Sequence, residues 1–178
     1  MTTEERPLLF LDVDGPLLPF GISPQSNPPP HSHSARLRPE LGRHLAALPC
    51  DLVWATTWNE AANTEIAPRL GLPHLPVVPW PDPSADHQHE DQWFGLHWKT
   101  RTLVTWAAGR PFAWIDDELT DSDREWVAAQ HPGPALLHYV EASRGLGDED
   151  FTILREWLRR PNDNHAPPRS DGGKAQRA

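Results

Sequence analysis

The chain has 178 residues, 38% of them hydrophobic, with one cysteine and a formal net charge of −9. That length suits one domain with a real core, and a lone cysteine excludes an internal disulfide framework and points to a reducing cytoplasm. No apolar run nears the ~20 residues of a bilayer crossing, MTTEERP lacks the apolar segment of a signal peptide, and the acidic balance argues against loose binding along a nucleic-acid backbone.

Leu8–Leu11 is an apolar run too short for a helix and suited to a buried strand. It ends in Asp12, Val13, Asp14 and Gly15, and strand alternation brings Asp12 and Asp14 out on one side. Two carboxylates so close resist joint ionisation unless a cation sits between them. A hard, oxygen-seeking ion such as Mg²⁺ suits that position. Taken alone, the pair reads as readily as a strand-ending Asx turn. Residues 19–34 then form a first insert without periodicity, and His31 and His33 within it read as loop histidines.

Leu37, Leu41, Leu45 and Leu48 recur at helical spacing and predict a helix over 39–48, with Pro39 in its first turn. Cys50 reads as a buried small residue rather than a nucleophile. Residues 51–56, DLVWAT, predict the second strand. Thr57 and Glu60 match a capping box, opening a helix that Gly71 stops. A cap would occupy Thr57 and leave the Thr56 hydroxyl free to face whatever lies above the sheet.

Residues 75–78 predict a short third strand, and 79–96 a second irregular insert in which His87, Glu90 and Asp91 read as a solvated acidic loop. A helix over 97–108, ended by Gly109, carries Lys99 in its first turn. A cation there opposes the helix dipole and hints at a nearby anion. Residues 111–115 predict a fourth strand, ending in Asp116, Asp117 and Glu118, and Ser122 with Glu125 suggests a cap for the next helix. A fifth strand over 135–140 precedes a last helix from Asp148, with Phe151, Leu154 and Leu158 on one face. The tail, 161–178, has nothing to bury and is expected to be disordered. The nine tryptophans are scattered and read mainly as packing residues.

Strands alternating with helices predict a parallel α/β sheet with right-handed crossovers. Such sheets bind ligands beyond the carboxyl ends of their strands. There the order is Asp12 and Asp14, then Thr56, then Lys99, then Asp116 and Asp117. These are parts for phosphoryl transfer through an aspartyl phosphate: an attacking carboxylate, a proton shuttle, charge-neutralising groups and a positioning hydroxyl. The order does not fit response-regulator receiver domains. PIN-type metal nucleases also cluster acids at strand ends, without a fixed need for the threonine and lysine.

LFLDVDGPLLP, VWATTWNEAAN and FAWIDDE resemble the haloacid dehalogenase-like superfamily, and more closely the small domains of that type in Swiss Army Knife RNA repair proteins. The likeness covers 8–158. It implies a Rossmann-like core over 1–160, with a mostly parallel five-stranded sheet, flanking helices and a minimal cap. It implies a cytoplasmic Mg²⁺-dependent phosphatase in which Asp12 is nucleophile and metal ligand. Asp14 would be the general acid/base, with its main-chain carbonyl on the metal. Thr56, with Thr57 beside it, would bind phosphoryl oxygens, Lys99 would steady the phosphoaspartate, and Asp116 with Asp117 would complete the metal site. Pro16 departs from the pattern, standing where the superfamily has threonine or valine and removing an amide hydrogen. The expected substrate is a phosphorylated small molecule or a nucleic-acid end, with no membrane partner. A non-catalytic binding module and a metal-dependent nuclease are the alternatives.

Overall fold

The computed structural model describes residues 5–21, 37–81 and 85–159, with 85–89 by their backbone alone. His31, His33, the side chain of His87 and the tail 161–178 lie outside the described residues. β1 (Leu8–Leu11) pairs in parallel with β2 (Asp51–Trp54) on one side and β3 (Phe112–Asp116) on the other. β4 (Ala135–Tyr139) adds to β3, giving the order β2-β1-β3-β4. The two central strands are buried along their whole length, which is why both read as unbroken apolar runs rather than alternating ones.

Alternation assigns their side chains to two cores. Leu8, Phe10, Phe112 and Trp114 pack with Leu103 and Ala107 of α4 (Thr100–Ala107) and Val127 of α5 (Asp121–Gln130). Leu9, Leu11, Ala113 and Ile115 pack against α1 (Glu40–Ala46), α2 (Ala67–Leu70) and α6 (Asp148–Arg159). The sheet is thus the middle of three layers. Cys50 is buried, and burial pushes its thiol up to about 12, so it stays an unreactive thiol. Among the described residues, no helix is long and apolar enough to cross a membrane.

Four expectations are corrected. The sheet has four strands, because 75–78 touches β2 only through one parallel bridge, Trp54 to Val77. Pro76 and Pro79 bring no amide hydrogens, so the segment cannot build a ladder. The helix after β2 has no cap at Thr57; residues 57–60 form a turn, with Asn59 left-handed at φ 48°. A π-helix over Ala62–Ile66 then leads into α2, which Gly71 ends. Pro68 accounts for the wide turn: it donates no bond to the carbonyl four residues back, and its ring needs room there. The second insert is not wholly irregular, since Ala85–Phe94 forms α3. That helix shows no apolar stripe in sequence, its Trp93 and Phe94 standing together at one end and exposed, while Glu90 and Asp91 both pair with Arg101. Lastly, Thr120 with Asp123, not Ser122 with Glu125, caps α5.

Candidate active site

The site grows out of the register of β1 and β3. Leu11 pairs with Ile115, and one residue further Asp12 N donates to the Ile115 carbonyl at 3.2 Å. Asp12 and Asp116 therefore emerge side by side, and alternation turns both to the face of Phe10 and Trp114, where α4 packs. Lys99 is the N-cap of α4. Its Nζ lies 3.0 Å from Asp12 Oδ2 and 2.8 Å from Asp116 Oδ2, with all three side chains buried. The anion that Lys99 announced is this pair of carboxylates. Asp116 also accepts from Trp114 Nε1 at 3.2 Å and Glu118 N at 3.0 Å, and Asp12 Oδ1 accepts from Val13 N at 2.8 Å.

Negative charge exceeds positive here. Asp12, Asp116 and Asp117 each offer a carboxylate oxygen within 4.8 Å of the others, against one ammonium. Burial pushes the Asp12 carboxyl up to about 7; Lys99 pulls it down and Asp116 pushes it further up. Burial, then the neighbouring Asp116 charge, raises Asp117 as well. Burial disfavours the Lys99 ammonium, yet Asp12 and Asp116 together hold it above the ordinary lysine range. Three hard oxygen donors and unneutralised charge fit Mg²⁺. A second group of possible ligands, His97, Asp116 and Glu118, fits less well. Both His97 ring nitrogens are engaged, Nε2 with Glu118 at 2.9 Å and Nδ1 accepting from Lys99 N at 3.2 Å.

The turn after Asp14 forms around Pro16. Leu17 N and Leu18 N both donate to the Val13 carbonyl, and Gly15 N donates to that of Leu18. Gly15 has φ +84°, and a Cβ there would stand 2.6 Å from Asp117 Cγ. Only glycine allows that approach. Asp14 is exposed, and its Oδ2 accepts a hydrogen bond from Trp58 Nε1 at 3.0 Å.

A cavity of roughly 200 Å³ lies above these groups, lined by Asp12, Asp14, Thr57, Lys99 and Asp117, with Phe20, Trp98 and Glu118. Thr56 does not line it. Thr56 is buried, its Oγ1 accepting from Trp58 N at 3.3 Å and its carbonyl from Trp80 Nε1 at 3.0 Å. Without a cap to make, Thr57 is the threonine beside the cavity. Asp116 lies behind, reached through Lys99.

Two further residues support the site. Asp123 is buried; its Oδ1 accepts from His97 N at 2.8 Å and Thr100 Oγ1 at 2.6 Å. Its Oδ2 accepts from Thr120 N at 2.9 Å and Thr120 Oγ1 at 2.7 Å. It thus ties the start of α5 to the turn that carries Lys99. The signal was present as Thr120 followed three residues later by Asp123. Trp58, which holds Asp14, gave no such signal, since a tryptophan beside a strand end reads first as packing.

Acids at the carboxyl ends of two neighbouring parallel strands, with a buried lysine between them, are consistent with the haloacid dehalogenase-like class. The family model described as the HAD domain in Swiss Army Knife RNA repair proteins matches residues 8–151, and the chain belongs to that family. No curated protein and no solved structure matches it.

Proposed function

We propose that the protein is a Mg²⁺-dependent phosphomonoesterase working through an aspartyl phosphate in the cytoplasm. The observation that carries this reading is Lys99 Nζ between Asp12 and Asp116, with Asp117 completing a three-carboxylate group. Asp12, Asp116 and Asp117 would hold the ion, which when bound neutralises charge on the phosphoryl oxygens. An Asp12 oxygen attacks phosphorus as the ester oxygen departs, taking a proton from Asp14. Water then attacks phosphorus, Asp14 takes the proton, and inorganic phosphate leaves with the Asp12 carboxylate restored. Lys99 holds the Asp12 carboxylate in place and offsets its charge. Thr57, which lines the cavity, orients a phosphoryl oxygen, with Thr56 beneath it fixing the turn.

The test is phosphate release from p-nitrophenyl phosphate with Mg²⁺ or EDTA, by wild type and Asp12→Asn. Release should need both the metal and Asp12; release that survives either removal overturns the reading. Pro16, which offers the phosphate no amide hydrogen, favours one second reading, a domain that binds Mg²⁺ and phosphate without turnover. Binding of both with no hydrolysis of any monoester would establish it. Cleavage of internal phosphodiesters would make the protein a metal nuclease instead.

A further inference from the structure

We propose, resting on the phosphomonoester reading above, that the ligand is a monophosphate carrying a flat, uncharged ring, seated on Trp98 and Phe20. Both side chains line the cavity that Asp12, Asp14 and Lys99 share. Both also leave about half their surface in water, Phe20 47% and Trp98 48%. Half-exposed aromatic rings beside buried charges, with the Lys99 ammonium itself 5.5 Å from the Trp98 ring centroid, form the pairing of apolar body and polar anchor on which ligand sites are built.

Trp98 is held rather than loose. Its ring meets Trp80 edge-on at 4.8 Å and lies tilted against His97 at 5.6 Å. Trp80 in turn donates its indole N–H to the Thr56 carbonyl, and both His97 nitrogens are engaged. The same groups that fix the threonine turn and the lysine turn therefore fix this ring. A pre-set ring loses little freedom when a ligand stacks on it. The packing does not require its exposure, because Trp98 belongs to neither core.

Size and charge narrow the class. Roughly 200 Å³ is below the usual ~300–1,000 Å³ of enclosing ligand sites, so it admits the phosphoryl group and leaves the remainder against the exposed rings. Among the described residues, Lys99 is the one cation lining the cavity, beside the carboxylates of Asp14, Asp117 and Glu118. A second phosphate would meet acids rather than a partner. That disfavours a diphosphate and a polynucleotide strand. It suits a nucleoside monophosphate or an aryl phosphate, which share a flat neutral ring.

The test is calorimetric binding to the full chain carrying Asp14→Asn, which keeps the three metal-binding carboxylates, in Mg²⁺, alongside kcat/KM for wild type. The probes are adenosine 5′-monophosphate, phenyl phosphate, ribose 5-phosphate, adenosine 5′-diphosphate and a short 5′-phosphorylated RNA. At least one of the two ring-bearing monophosphates should bind tenfold or more tighter than ribose 5-phosphate, and which one tells base from aryl ring. Phe20→Ala and Trp98→Leu should each collapse that ratio toward one, and Trp98→Tyr should restore part of it. Equal affinity for ringed and ring-free monophosphates overturns the proposal, as does tighter binding of the diphosphate or the RNA. Ring preference in binding with no Mg²⁺-dependent turnover overturns the enzymatic reading alone.

Discussion

Lys99 is the residue on which the site's electrostatics turn. Truncated to methionine, it would leave Asp12 and Asp116 facing each other with no buried counter-charge, a loss of about 3–5 kcal/mol. Urea unfolding of Lys99→Met should show that loss, and Mg²⁺ should restore more stability to the variant than it adds to wild type. Trp58 acts at one remove, through its hydrogen bond to Asp14. A misplaced acid matters only where the leaving oxygen needs a proton. Trp58→Phe should therefore slow an alkyl phosphate by about tenfold or more and p-nitrophenyl phosphate far less. Equal slowing of both substrates would show that Trp58 serves packing alone. At this scale the acids were legible because they fall at the ends of apolar strands in a fixed order along the chain, although an Asx turn claims the same residues and Asp116 does accept from Glu118 N. The cap expected at Thr57 did not form, because a four-residue capping rule cannot see Pro68 or the left-handed Asn59.

Elements are joined by a few buried carboxylates. Asp123 satisfies four donors from α5, from α4 and from the turn before it. Asp123→Ala should cost about 3 kcal/mol or more, combining a lost cap with stranded buried donors. Hydrogen exchange should quicken at the His97 and Thr120 amides and leave β1 protected. Asp150 does similar work at the start of α6, bonded twice by Arg144, and by the Gly147 amide and His138. Burial alone would raise its carboxyl, but these partners bring it from 3.8 down to about 2. A depressed carboxyl stabilises the fold above its unfolded value, and the benefit is lost as pH falls through the folded one. Between about pH 4 and pH 2, wild type should lose on the order of 1–2 kcal/mol more stability than Asp150→Asn, read by acid unfolding. Helices with an apolar stripe, such as α1 and α6, were visible in the sequence. α3 was hidden because it lacks such a stripe, and the expected third strand, 75–78, was an over-reading of an apolar run between prolines.

For the whole molecule, alternation of strands and helices sufficed to foresee a parallel sheet with its acids at one edge, since connection rules leave few other arrangements. Side-chain partners across that edge were not foreseeable, because they depend on registers set by distant segments. If Asp12, Asp116 and Asp117 hold Mg²⁺, saturating ion at about a hundredfold its Kd should stabilise the fold by about 2.7 kcal/mol. Thermal unfolding should register the shift in wild type and lose it in Asp12→Asn. The place of β1 also bears on how the chain is made. β1 is made before both of its neighbours, and one of them, β3, follows roughly a hundred residues later, on the order of 5–20 s at ordinary synthesis rates. Through that interval one side of LLFL has no partner strand to pair its backbone. A product cut short before Asp116 would carry Asp12 and Lys99 without the second carboxylate that Lys99 pairs with.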